Sequence, residues 1–138
     1  MSRTILGEGD LHAKDRGHLF TAAVTDTTPV TAIFQTAGAD RFCVQFIWTG
    51  TVAGTLKVEV SNNHRQSTDG GETAPVRAGD WTDISSTLTL PTVTTPGGGT
   101  STGMIQLGYR DEAYVRVTFT PTSGAGNADA WLNDRAYA

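Results

Sequence analysis

Two runs of strict alternation, FCVQFIWT and TLKVEVS, constrain the fold of this chain more than any other feature. Successive side chains of a strand point to opposite faces, so residues two apart share a face. Phe42, Val44, Phe46 and Trp48 therefore form one apolar stripe, and Leu56, Val58 and Val60 form a second. Thr55, Lys57 and Glu59 face outward from the second run, while Cys43, Gln45 and Ile47 give the first a partly covered second face. The TGTVAGT between them offers Gly50 and Gly54 and reads as a hairpin turn of moderate length. A third run, AYVRVTFTPT, sets Val115, Val117 and Phe119 against Tyr114, Arg116 and Thr118.

Shorter apolar segments surround these three. HLFTAAVT and PVTAIFQT are separated by the turn composition DTTP; WTDISSTLTL resumes a strand at Trp81, MIQLGY follows, and ADAWLNDRAYA closes the chain after the turn SGAGN. The total is about eight strands and no convincing helix, the pattern of an all-β antiparallel two-sheet sandwich or jelly roll. Abundant Thr supports this, since its branched Cβ suits a pleated, half-exposed surface. At 138 residues the chain is one domain's worth. Met1–Gly17 mixes charges of both signs without a period and reads as an extended N-terminal arm or an ill-ordered lead-in, leaving 18–138 as the sandwich domain. A long polar connection runs from Asn62 to Asp80, and a Gly/Thr-rich one, PTVTTPGGGTSTG, precedes MIQLGY.

Charge and motifs exclude several functions. A net charge of −4 argues against a phosphate-binding surface, so no nucleic acid is expected as partner. No run approaches the roughly 20 apolar residues of a membrane helix, so no membrane partner is expected. The N-terminus lacks the apolar centre of a signal peptide, which points to synthesis in a cytoplasm. Cys43 is the single cysteine and reads as a small buried hydrophobe. His12, His18 and His64 are scattered without metal-ligand spacing. Asp69 and Glu72 flank a double Gly but lack the alternation of a calcium loop. PGGGTSTG has no Lys and lies between strands, unlike a phosphate loop. The pairs Asp80 with Asp83 and Asp111 with Glu112 sit at strand ends or turns, where carboxylates are ordinary, and no Ser sits in a nucleophile-elbow pattern. No catalytic residue, cofactor or metal is expected, and the chain does not read as an enzyme.

Of the three Trp, Trp48 falls on a core face and Trp81 caps one end of the sandwich. Trp131 alternates out of step with Ala128, Ala130 and Leu132, so it points outward and is an interface candidate. Tyr114 and Arg116, outward on a neighbouring strand, are expected to extend its patch.

VQFIWTGTVAGTLKVEVSNN, then WTDI, then AYVRVTFTPTSGAGNADAWLNDRA resembles a group of small β-sandwich structural proteins of tailed bacteriophages, and among them the capsid cement (decoration) proteins. The resemblance runs from about Phe42 to Asn133, interrupted at the two long loops. It implies a jelly-roll subunit, homodimeric, on the outer capsid surface of a virion, clamping neighbouring major capsid proteins and stabilising the expanded shell. The arm and the Asn62–Asp80 loop, which shorter members lack, are then where partner contacts are expected. That adds Arg3, Ile5, Leu6, Leu11, Arg65 and Arg77 to Tyr114, Arg116 and Trp131 as interface candidates. A tail or neck structural protein is an alternative, as is a carbohydrate-binding adhesion module, since jelly rolls with exposed Trp bind glycans.

Overall fold

The computed structural model describes residues 17–37, 39–64, 78–94 and 99–135. Eight strands follow in chain order: β1 (His18–Val24), β2 (Val30–Gln35), β3 (Arg41–Thr49), β4 (Ala53–Ser61), β5 (Thr82–Asp83), β6 (Thr100–Tyr109), β7 (Tyr114–Ser123) and β8 (Gly126–Arg135). They form two four-stranded antiparallel sheets, ordered β1-β8-β3-β6 and β2-β7-β4-β5. The chain thus behaves as one long hairpin: β1 pairs with β8, β2 with β7, β3 with β6 and β4 with β5. Rolled up, successive pairs alternate between the two layers, and this is the jelly-roll arrangement of a β-sandwich.

The alternating stripes face each other across the gap between the sheets. Phe42, Val44, Phe46 and Trp48 on β3 are buried, as are Leu56, Val58 and Val60 on β4 and Val115, Val117 and Phe119 on β7. Phe46 and Phe119 meet across the layers with ring centroids 4.9 Å apart. Removing a side chain of this size from water is worth about 1.5–3 kcal/mol. The buried Trp48 satisfies its indole N–H at the rim of the core, donating to the Thr94 carbonyl at 2.9 Å.

Two expectations need correction. The TGTVAGT segment is not a hairpin: β3 and β4 belong to different sheets, so residues 50–52 carry the chain from one layer to the other. The return crossing between β7 and β8 packs directly on it. Thr51 N–H donates to the Ala125 carbonyl at 2.8 Å, Ala125 N–H donates to Thr51 Oγ1 at 3.0 Å, and Asn127 N–H donates to Thr49 Oγ1 at 3.1 Å. Gly124 sits between them at φ +84°, where an added Cβ would stand 1.8 Å from the Thr51 carbonyl oxygen.

The strand expected over WTDISSTLTL is also cut short. Only Thr82–Asp83 pairs, with Glu59 and Val60, before a 3₁₀ turn at Ser85–Thr87. Asp83 Oδ1 accepts the Ser85 N–H at 2.8 Å, and Thr87 Oγ1 donates to the Ile84 carbonyl at 2.7 Å. Such local bonds compete with a ladder and bend the backbone out of it.

Gly124→Ala is expected to destabilise the fold by at least about 2 kcal/mol, because positive φ and the crossing clash add. Urea denaturation followed by circular dichroism measures this; a variant as stable as the parent would show that the two crossings are not interlocked.

Candidate functional site

Each sheet presents one face to the core and one outward, and the two outward faces differ in kind. Among the described residues no group of three or more His, Cys, Asp and Glu side chains could hold a metal ion.

On the β2-β7-β4-β5 sheet, the register lines up Ile33, Arg116, Glu59 and Asp83 in one row across the strands. Arg116 donates to Glu59 Oε1 from Nε at 3.0 Å, and its Nη2 lies 2.9 Å from the same oxygen. The guanidinium also lies over the Trp81 ring, 4.3 Å from its centroid. Glu59 was expected to face outward; it does sit on the outer face, and only 8% of its surface is open. Arg116 and the Lys57 ammonium, 3.7 Å away, offset the cost of that burial.

His64 packs beside Trp81 and meets the Tyr114 ring edge-on, at 5.2 and 4.9 Å between centroids. The Ala78 carbonyl accepts from the Trp81 indole at 2.9 Å and from His64 Nδ1 at 3.0 Å. Asn63 and Asp80 bond each other twice, at 2.9 and 2.7 Å. The cluster therefore clamps both ends of the long connection onto the sheet. Tyr114 and Arg116 are spent on this internal work.

Trp131 lies on the opposite sheet, so the expected patch joining it to Tyr114 and Arg116 does not form. β7 and β8 are consecutive in sequence but belong to different layers. Arg3, Ile5, Leu6, Leu11, Arg65 and Arg77 lie outside the described residues.

The outer face of the β1-β8-β3-β6 sheet has no such network at its centre. The register sets His18, Trp131, Gln45 and Met104 in one row and Asn133, Cys43 and Gln106 in the next. Neither row carries a carboxylate, Lys or Arg. Arg41 and Tyr109 pair at one end, with the guanidinium 5.5 Å from the ring centroid. A β1 irregularity between His18 and Phe20 buries Leu19 and sets His18 beside Trp131, where the rings stack at 4.3 Å.

Three large apolar side chains are exposed among the described residues: Met104 at 52%, Tyr109 at 64% and Trp131 at 43%. All three stand on this face. Beside them is a depression of about 350 Å³, lined chiefly by Arg41, Cys43, Met104, Gln106, Gly108 and Asn133. It opens where the β3–β6 register shifts between Phe42 and Cys43 and where nothing lies within 4 Å of a Cβ placed on Gly108. Partial burial pushes the Cys43 thiol up from its ordinary value, so it stays protonated at neutral pH and is a poor nucleophile.

Trp131 was legible from its phase. Met104 and Tyr109 were missed, although alternation within MIQLGY already sets Met104 against Ile105 and Leu107. His18 and Gln45 had no local signal, because only the strand order brings them to Trp131.

No protein-family model and no curated protein sequence matches the chain. Among solved structures, chitosan-binding module 1 derived from a chitosanase/glucanase of Paenibacillus sp. IK-5 is similar, with a TM-score of 0.40 and 19% identity over 82% of this chain and 75% of that one. At that level of similarity nothing of its ligand transfers.

Arg116→Ala should leave the Glu59 carboxylate buried with only Lys57 nearby and unstack Trp81. A loss of about 1–3 kcal/mol is expected, below the full cost of breaking a buried pair because Arg116 is partly open to water. Urea unfolding followed by Trp fluorescence tests it, and an unchanged midpoint would mean the clamp carries no stability.

Proposed function

We propose that this protein is a virion structural protein of a tailed bacteriophage that docks on the outside of the expanded head and cements neighbouring major capsid proteins. The observation that carries the proposal is the outer face of the β1-β8-β3-β6 sheet. Its exposed residues include Trp131, Tyr109, Met104 and Arg41, types enriched where proteins meet, in surroundings poor in Lys and Glu. The sequence resemblance to phage cement proteins supports the same assignment. The residues that carry it build the scaffold: the Thr-Gly-Thr and Thr-Ser-Gly segments are the interlocked crossings, and Val-Glu-Val-Ser-Asn-Asn ends β4 at the loop clamp.

A protein that binds only the assembled lattice stabilises it by mass action, and many identical contacts on a symmetric shell add avidity. Neither effect needs catalysis or a cofactor. A rigid sandwich with one self-satisfied face and one face that exposes large apolar side chains suits such a role. The partners are the major capsid protein and a second copy of this chain. Its net charge of −4 disfavours contact with the packaged nucleic acid.

A neutral glycan is the competing ligand, since Trp131 sits opposite the amide of Gln45 and on the same face as Asn133 two residues along its strand. The His18 ring already occupies one face of that indole, leaving a single face for a sugar.

Co-sedimentation with undecorated expanded heads, free capsid protein, isolated tails and a neutral-glycan panel separates these. Saturable binding to heads at a fixed ratio to capsid subunits is expected, and Trp131→Ala should weaken it at least about tenfold with an unchanged melting temperature. Binding to tails alone, or to glycans alone, would overturn the head assignment.

A further inference from the structure

We propose that the free edge of β6 accepts an extended segment of the capsid shell as an added strand, so that attachment runs through backbone hydrogen bonds as well as through the sheet face. This deepens the head-docking role and rests on it.

An unpaired strand edge is a template for further pairing, and proteins blunt such edges with charges, Pro, short strands or covering loops. The outer edge of β4 is treated this way. β5 pairs with Glu59 and Val60, Val58 N–H donates to Ser85 Oγ at 2.9 Å, Ile84 N–H donates to the Val58 carbonyl at 2.9 Å, and Gly54 N–H donates to the Val93 carbonyl at 3.0 Å. β6, at the end of its sheet, is ten residues long, TSTGMIQLGY, with no charged residue and no Pro. Among the described residues no strand or loop bonds to the backbone of Thr100, Thr102, Met104 or Gln106 on its outer side. The other edge strands are shorter, seven residues for β1 and six for β2.

The register identifies the groups presented. Gly50 N–H donates to the Gly99 carbonyl at 3.3 Å, which sets the phase of the antiparallel β3–β6 ladder. Trp48 with Ser101, Phe46 with Gly103 and Val44 with Ile105 are then the mutually bonded pairs. The backbone N–H and C=O of Thr100, Thr102, Met104 and Gln106 turn to the free edge. The side chains of these four stand on the outer face beside Trp131 and Gln45, so edge and face form one continuous surface. The irregularity opposite Phe42 and Cys43 ends the regular stretch just after Gln106.

The chemistry of the edge favours a shell segment over a second copy of this chain. Self-pairing about a two-fold axis that uses all four of Thr100, Thr102, Met104 and Gln106 would centre on Gly103, setting Gly opposite Gly, a pair with no side chain to pack. It would also bring together the two Pro91 rings, since Pro91 lies so close to Gly103 that an added Cβ there would come within 2.3 Å of its Cβ. An extended shell segment instead places an apolar or β-branched residue opposite Gly103. Pairing of this kind takes affinity from the main chain and specificity from alternate side chains.

Thr102→Pro removes one edge N–H without touching the ladder to β3, a position where an edge strand tolerates Pro. The variant is expected to melt within a few degrees of the parent and to lose at least about tenfold in head occupancy. In the wild-type protein, hydrogen exchange at the Thr102 and Met104 amides should slow at least about tenfold on heads relative to the free protein. If the variant does not fold, the exchange result on wild type decides alone. Equal head binding by the variant, or fast exchange at both amides on heads, would overturn the proposal. Protection that rises with concentration in the free protein would overturn it in favour of a second copy. Failure of the wild-type protein to bind heads at all would instead remove the head-docking role itself.

Discussion

The fold depends on two layer-to-layer crossings being locked against each other. Each carries the chain between sheets, and a connection of this kind has backbone groups that no ladder satisfies. Thr49 and Thr51 supply those partners to Ala125 and Asn127, and the close approach leaves no room for a side chain at Gly124. β3, β4, β7 and β8 all start or end at this point, so it ties the two layers together. The Phe46–Phe119 contact bridges the layers within the core.

From that frame follows the contrast between the outer faces. One face spends its polar side chains on itself: Arg116 serves Glu59 and Trp81, and His64 with Asn63 and Asp80 closes the neck of the long connection. The other exposes Trp131, Met104 and Tyr109 beside amides and a depression of about 350 Å³. Exposed apolar groups gathered on one sheet face cost solubility and are retained where something covers them. An uncharged edge strand bordering the same face makes the asymmetry larger still.

The alternating stripes of β3, β4 and β7 were legible because a strand's period is fixed by local geometry and needs no knowledge of neighbours. Trp131 was readable for the same reason, from its phase against Ala128, Ala130 and Leu132. The shortening of β5 was hidden because Ser and Thr in WTDISSTLTL carry strand propensity and turn-forming hydroxyls alike, and which wins depends on whether a partner strand is beside them. The hairpin expected at TGTVAGT failed on a similar point: a Gly-rich turn between two strands is compatible with pairing them or with parting them. Glu59 kept the face that alternation assigns it, yet its burial comes from Arg116, 57 positions away in sequence.

What the sequence by itself determined is therefore one-dimensional: where strands run and which side chains share a face. Its period-two pattern suffices for these because each depends on residues within a few positions of one another. Tertiary structure alone decided which strands are neighbours. That choice put Tyr114 and Arg116 on the opposite side of the molecule from Trp131, and brought His18, Gln45 and Met104 into its row. The reason is physical: strand order is set by the roll of the whole hairpin around a shared core, and no local segment carries that information.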